Sequence, residues 1–322
     1  MTFLEKLDAL KTRIKHDIGP LIDNDYVLWD CPYHSNIGDT LIWEGERAFL
    51  KELPYKCIGY ASYITCTFPD LSPDVIILLQ GGGNFGDLWR CFQDFRLQVI
   101  RRYPHNRIVI LPQSVSYETA GLMEEDARVM AGHKQLTICV RDKNSYELVK
   151  NNFENPVLLV PDMAFYISPK VLAKFRKKEE NKVLFLKRGD KELVSQSYHV
   201  EENGLKLEVR DWPTQEKGVF FLMVLYRLSG ICQHLRRWKA GERFFARLTN
   251  GYAARYCRIR LLKRGIGFVS SYKYVYTTRL HVMILSVLLE KECEFFDNSY
   301  GKNMALYNTW LKDLSGVKPA NS

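Results

Sequence analysis

The sequence predicts an α/β chain: two domains with parallel, doubly wound sheets that face each other across a cleft. Three observations carry that expectation. Short apolar strands alternate with amphipathic helices along nearly the whole chain, which is the rhythm of a parallel sheet. A polar, charged stretch, KFRKKEENK at Lys174–Lys182, interrupts that rhythm and reads as a linker, with a second alternating unit beginning at its end. Finally, 322 residues is long for one core and comfortable for two.

The elements follow in order. MTFLEKLDALKTRIKHDIG alternates like an amphipathic helix, and YVLWDC (Tyr26–Cys31) reads as a buried strand broken by the turn residues of CPYHSNIGDT. LIWEGERAFLKEL (Leu41–Leu53) has helical spacing, with Asp39 or Thr40 suited to cap it. A short strand around Cys57–Tyr60 and the apolar strand VIILLQ (Val75–Gln80) lead into the turn GGGNFGD and a helix over Leu88–Tyr103. IVILPQSV (Ile108–Val115) is a strand ending in a polar turn, followed by a helix around Glu124–Ala131. LTICVRD (Leu136–Asp142) and PVLLVPDMAF (Pro156–Phe165) continue the pattern. The second unit starts at KVLFLKRGD (Lys182–Asp190), runs through VYTTRLHVMILSVLLEK to a final strand, CEFFDNS, and closes with a helix over GKNMALYNTWLKDL. The expected division is residues 1–172, residues 173–300 and a closing helix in 301–322.

Composition narrows the classes. With 46% apolar and 13% aromatic residues the chain is neither disordered nor fibrous. Its N-terminus is charged throughout, unlike a signal peptide, and the longest apolar runs, Val219–Leu225 and Val282–Leu289, are too short to span a bilayer. Eight cysteines without a CxxC pair or zinc-like spacing suit reduced, mostly buried thiols. A cytoplasmic protein is expected. The net charge of +9 is local, because Arg227–Arg264 holds eleven Lys or Arg against Glu242 alone.

One phrase occurs twice, as NIGDTLIW (Asn36–Trp43) and as NFGDLW (Asn84–Trp89), the second behind three glycines. Both copies lie where a strand gives way to a helix, and ligands of open α/β sheets bind at such strand ends. Glycine lets backbone amides approach a ligand, and a helix N-terminus favours an anion. Gln113-Ser114, Arg141-Asp142 and Asp162 stand at equivalent ends. Ordinary capping and bending would explain either turn taken singly. No P-loop Lys-Ser/Thr follows the glycines of GGGNFGD. TTRLHVMILSVLL (Thr277–Leu289) sets Arg279 and His281 at the mouth of an apolar helix, and KRGDKE (Lys187–Glu192) sets Arg188 at a strand end. A surface arginine, a packed histidine and a solvated charge cluster are the plain alternatives. Arginine's planar fork grips carboxylate and phosphate, so two or three in one cleft would suit a small dianion or trianion.

SNIGDTLIW, LLQGGGNFGDLW, ILPQSV, VRDKNSYELV, VPDMAF, LKRGDKE and TTRLHVMILSVL stand in the order seen in the polysaccharide pyruvyltransferase family, which the chain resembles from about Tyr33 to Ser299. The resemblance implies a GT-B-like fold, two facing Rossmann-like domains with the active site in the interdomain cleft. It implies transfer of the pyruvate unit of phosphoenolpyruvate onto a sugar as a cyclic ketal, with release of phosphate, and no cofactor or metal. The family's Arg-Leu-His triplet, implicated in donor binding, falls on Arg279, Leu280 and His281. A further donor arginine is Arg188 or Arg141, with Arg188 preferred because it shares the domain of Arg279. The first domain would then face the acceptor with Asn36, Gly38, Asp39, Gly82, Gly83, Asn84, Gln113 and Ser114. An enol phosphate needs cationic groups on its anions, an acid for its methylene carbon and a base for the sugar hydroxyl. His281 is the candidate acid, and Asp39 and Asp87 are candidates for hydroxyl binding or the base, with helix capping open for either aspartate.

The basic segment, residues 219–265, interleaves its cations with Trp238, Phe244, Phe245, Tyr252 and Tyr256, and Leu235, Trp238, Phe245 and Leu248 recur at broadly helical spacing. Basic helices with aromatic anchors suit an anionic membrane surface, with Arg236, Arg237, Trp238, Arg243, Phe244 and Phe245 on the lipid side. A solvated helix pair covering the second domain is the plain alternative. Nucleic acid, which such surfaces also suit, is not the expected partner. The implied acceptor is a sugar of a cell-surface polysaccharide, exopolysaccharide or capsule, or of its polyprenyl-diphosphate-linked precursor at the inner face of the cytoplasmic membrane. Two other readings stand beside this one. A GT-B-type nucleotide-sugar glycosyltransferase would share the architecture, and a non-enzymatic basic module would bind membrane or nucleic acid.

Overall fold

The computed structural model describes residues 1–189, 194, 198–201 and 204–320, without the side chain of Arg237. Asp190, Lys191 and Glu192, the tail of KRGDKE, lie outside the described residues. Thr2 opens the first helix, α1 (Phe3–Ile18), with a capping box shared with Glu5, and the stripe Leu7, Leu10, Ile14 and Ile18 is buried. There follow β1 (Tyr26–Trp29), α2 (Ile37–Leu50), β2 (Cys57–Tyr60), β3 (Ile76–Leu79), β4 (Gly82–Gly86), α3 (Arg90–Arg102), β5 (Ile108–Ser116), α4 (Ala120–Ala131), β6 (Leu136–Val140), α5 (Lys143–Asn152) and β7 (Val157–Leu159). Every pairing in this sheet is parallel, in the order β2-β1-β3-β5-β6-β7, with β4 also on β5.

A 3-10 turn at Met163–Tyr166 and α6 (Pro169–Phe175) lead to the second sheet. It is built with β8 (Glu180–Leu186), β9 (Lys206–Arg210), α7 (Pro213–Glu216), α8 (Phe220–His234), α9 (Lys239–Tyr252), α10 (Arg258–Ser270), β10 (Tyr272–Thr277), α11 (Leu280–Leu288), β11 (Cys293–Phe295), α12 (Lys302–Leu306) and β12 (Val317–Pro319). Its order is β12-β11-β10-β8-β9, again all parallel. The two sheets share one winding, in which the chain moves one way from the first strand and then reverses. In sheets of this kind ligands bind outside the carboxyl ends of the strands at the reversal. The reversals fall at β1/β3 and at β8/β10, whose carboxyl ends lead to the NIGD and GGGNFGD phrases in one sheet and to Arg188 and Arg279 in the other.

Several sequence expectations shift. The helix expected from Leu41 begins at Ile37, capped by Asn36, whose Oδ1 accepts from the Gly38 amide at 3.0 Å; Asp39 and Thr40 lie inside its first turn. GGGNFGD is not a loop but largely β4, extended beside β5, and Gly86 is obligatory there because a Cβ would stand 1.8 Å from the Ser116 carbonyl. Gln113 and Ser114 accordingly sit within β5 rather than in a turn after it. The linker shrinks to residues 176–179 between α6 and β8. Strand β9 is missed by the sequence reading because only Leu207 and Val209 alternate with its charges, too short a pattern to stand out, and it lies at the sheet edge. CEFFDNS is not the last strand, since β12 follows it, and the closing helix is only α12 with a π-turn at Tyr307–Leu311.

One apolar cluster runs continuously from α1 through α2 and α11 to β12, including Ile14, Ile42, Phe165, Ile284, Leu311 and Val317. Smaller clusters cover the opposite faces of the two sheets. Helix α2 lies against the Met163–Tyr166 turn so closely that a Cβ at Gly45 would be 1.8 Å from the Met163 carbonyl oxygen. Replacing Gly45 with Ala should therefore destabilise the fold by about 1–3 kcal/mol through overpacking. Urea unfolding checks this as a lower midpoint at unchanged slope.

Candidate active site

A pocket of about 610 Å³ opens between the two reversals. The first sheet contributes Asn36, Asp39, Gly83, Asn84 and Arg141 to its lining, and the second contributes Arg188, Arg279, Leu280, His281 and Lys302. Among the described residues that line it, Arg141, Arg188, Arg279 and Lys302 stand against a single acid, Asp39. The N-termini of α2 and α11, at Asn36 and Arg279, also open onto it. Four cationic side chains and the N-terminus of α11 make one end of the pocket an anion site.

The threonines of TTRLH hold that end in shape. Thr277 Oγ1 accepts from the Arg279 amide at 2.9 Å, and Thr278 Oγ1 accepts from the Arg188 amide at 2.9 Å. The Arg279 guanidinium donates from Nε and Nη2 to the two oxygens of Asp211, each at 2.6 Å, which fixes its plane. Arg141 is anchored from behind, with Nη1 on Asp162 Oδ2 at 2.7 Å and Nε on Ser114 Oγ at 2.9 Å. Ser114 in turn donates to Asp142 Oδ2 at 2.7 Å.

His281 belongs to the second sheet's α11 yet meets the first sheet's charges. Its Nε2 lies 3.4 Å from Asp162 Oδ2 and 3.4 Å from Arg141 Nη1. Burial works against the Asp162 charge, but His281, Arg141 and the Ala164 amide outweigh it and hold the carboxyl well below the usual carboxylate range. A Cβ at Gly38 would stand 2.6 Å from His281 Nδ1, so glycine keeps that edge of the imidazole clear.

The other end of the pocket is aromatic. Tyr63 and Phe92 meet at 4.8 Å between centroids and Phe92 touches His34 edge-on at 6.3 Å, and Trp89 and Tyr226 also line the pocket. Asp39 sits beside this end. Its Oδ2 accepts from Asn36 Nδ2 at 2.8 Å and lies 3.6 Å from His34 Nε2. Burial lowers the His34 pKa, with Asp39 pulling the other way. Nδ1 of His34 accepts from the Asn36 amide at 3.3 Å, so the neutral ring carries its proton on Nε2, toward Asp39.

The remaining sequence candidates support the site from outside its lining. Gln113 Oε1 accepts from the Asn84 amide at 3.3 Å, and its Nε2 donates to the Gln80 carbonyl at 2.8 Å. Gly82 has φ 149°, and a Cβ there would lie 4.0 Å from Asp39 Oδ1. Asp87 does not join the lining; its carboxylate accepts from the amides of Glu118 at 2.9 Å and Thr119 at 2.7 Å, pinning the approach to α4. No group of three or more His, Cys, Asp or Glu is placed to hold a metal ion among the described residues.

The sequence profile of the family described as polysaccharide pyruvyl transferase matches residues 36–300. The chain belongs to that family. A candidate pyruvyl transferase of Bacillus subtilis (strain 168), EpsO, is 31% identical over 319 residues, covering 95% of this chain and 92% of its own. Pyruvyl transferase 1 of Schizosaccharomyces pombe is 28% identical over 307 residues, covering 89% of this chain and 70% of its own. The crystal structure of an uncharacterized protein from Klebsiella pneumoniae shares the fold, with a TM-score of 0.63 at 20% identity over 97% of this chain and 99% of its own.

In this family member the sequence reading brought Arg279, His281, Arg188, Arg141 and the NIGD turn to one pocket but missed their partners. Asp211 and Lys302 lie in stretches without a motif, and the aromatic wall is assembled from three separate segments. His34 had a signal, since it immediately precedes SNIGD. Asp162 carries a pH consequence. Because its folded-state pKa is depressed from 3.8, its stabilisation is full above about pH 4 and is lost as the pH falls through the folded value. Asp162→Asn should therefore cost about 3–5 kcal/mol at neutral pH, by leaving Arg141 unbalanced, and flatten the acid limb of the stability profile. Chemical denaturation from neutral pH down to well below pH 3 checks both effects.

Proposed function

We propose that the chain transfers the pyruvate unit of phosphoenolpyruvate onto a sugar, forming a cyclic ketal and releasing phosphate. One observation carries this reading: a single pocket joins a cationic end, where Arg188, Arg279, Arg141 and Lys302 converge, to an aromatic end beside Asp39. Phosphoenolpyruvate carries a carboxylate and a phosphate on adjacent groups, which suits the cationic end. Aromatic faces suit the apolar face of a sugar ring.

The chemistry then divides between the two ends. His281, its imidazolium balanced by Asp162, gives a proton to the methylene carbon, which becomes a methyl group. Asp39, oriented by Asn36 and the Nε2–H of His34, takes the proton of the first sugar hydroxyl as its oxygen bonds to C2 of the donor. The C2–phosphate bond breaks, and Arg188, Arg279 and Lys302 stabilise the departing charge. The second hydroxyl then closes the ketal, its proton leaving with phosphate. The acceptor we favour is a residue of a cell-surface polysaccharide or of its lipid-linked precursor, handled at the inner face of the cytoplasmic membrane.

Calorimetric titration with phosphoenolpyruvate tests the donor end. Arg279→Ala should weaken binding by roughly 10- to 100-fold, the range for hydrogen bonds to charged groups. Asp39→Asn should bind the donor normally and lose phosphate release with an acceptor present. Binding of a nucleoside diphosphate in place of phosphoenolpyruvate would instead make the pocket a glycosyltransferase site.

A further inference from the structure

The π-turn at Ala253–Cys257 joins α9 to α10, so the basic segment is a helical hairpin, α8 against α9, running on into a third helix. Its inner faces are ordinary: Phe221, Leu222, Leu225 and Cys232 of α8 and Ala246 and Thr249 of α9 are buried. Its outer face is not. Thirteen large apolar residues are exposed among the described residues, and eight of them fall between Phe220 and Tyr256. Phe220 is 75% exposed, Phe244 65% and Trp238 64%, too open to be serving the core. On α8, Phe220, Met223, Arg227, Ile231 and His234 recur at helical spacing on this outer side. On α9, Arg243, Phe244, Arg247 and Leu248 do the same. Phe245, which the sequence suggested for the outer side, is instead half-buried. Lys239, Arg255, Arg260, Lys263 and Arg264 are exposed around these rows.

We propose that this hairpin docks the protein on an anionic lipid bilayer, with Trp238, Phe244 and Leu248 entering the headgroup–acyl boundary and the surrounding arginines meeting lipid phosphates. Charge complementarity selects the occupant. A second copy bringing the same face would set arginine against arginine around its apolar contacts, which costs free energy. A nucleic acid would use the arginines and aromatic rings but gain no stacking from Met223, Ile231 and Leu248, whereas a lipid interface accepts aliphatic and aromatic side chains alike.

The hairpin also borders the pocket. Tyr226 of α8 lines the pocket, and Arg236 Nη2 donates at 3.4 Å to the carbonyl of Ile64, a lining residue next to Tyr63 of the aromatic end. Docking would therefore hold the acceptor end of the pocket close to the lipid, where a lipid-borne sugar arrives. That last consequence rests on the pyruvyl-transfer reading of the pocket; the docking itself does not.

Flotation of the full chain with phosphatidylcholine vesicles, with and without phosphatidylglycerol, tests the proposal. The chain should float with the anionic vesicles only, and less so as salt rises. The triple variant Trp238→Ser, Phe244→Ser, Leu248→Ser keeps every cation and should lose roughly tenfold or more in vesicle affinity. Arg243→Glu with Arg247→Glu should lose a similar amount. Donor binding by calorimetry should be unchanged in both variants, which separates docking from folding and from the pocket's chemistry. Absence of flotation with either vesicle, or full binding by the triple variant, would overturn the proposal. So would oligonucleotide binding, or self-association by light scattering, that these variants abolish while vesicles are ignored.

Discussion

The buried ion pair between Arg141 and Asp162 is the constraint on which the site depends. Both side chains are only 1% exposed, so each buried charge needs the other to balance it. Each residue follows a strand of the first sheet, Arg141 after β6 and Asp162 after β7, yet their charges face His281 on the second sheet's helix α11. The pair thus fixes, across two sheets, where the imidazole can stand. Gly45 allows α2 to press against the backbone just beyond Asp162, and Gly38 on the same helix clears the other edge of His281. One helix therefore sets both the height of the carboxylate and the space beside the ring.

Electrostatics and shape divide the pocket in the same direction. Cations from both sheets, Arg141 of the first and Arg188, Arg279 and Lys302 of the second, gather on one part of the lining, and Asp39 with His34, Tyr63 and Phe92 stands on another part, built from the first sheet. A continuous apolar core joins the two sheets, so this division is held by packing as well as by the chain's connectivity. The cationic end carries a repulsion that Asp211 and Asp162 partly offset by holding Arg279 and Arg141 in fixed orientations. Preorganisation of that kind is what an enzyme binding a multiply charged donor requires, because no charge then has to move when the donor arrives.

The alternation of strands and helices, the strand-end turns and the Arg279–His281 triplet were all legible in the order of residues, and they led to two parallel sheets and to one wall of the pocket. Local patterning carries this much because period and turn chemistry are properties of neighbouring residues. The same locality explains the misplacements. Asn36 took the cap from Asp39 because its side chain reaches the Gly38 amide, and GGGNFGD became a strand because β5 offers it a partner. A glycine-rich stretch is a turn or a strand according to what lies beside it, and that neighbour is 29 residues away at Gln113.

The sequence by itself determined the parallel α/β class, the family and the identity of the cationic and acidic residues, since these rest on composition, period and motif. Tertiary structure alone decided that Asp211 orients Arg279, that Asp162 stands under His281, and that Asp87 serves a backbone outside the pocket. It also decided that the basic segment turns an aromatic and cationic face outward instead of covering it. Those outcomes depend on contacts between residues dozens to more than a hundred positions apart, which no local pattern encodes. They exist only once the two sheets have met.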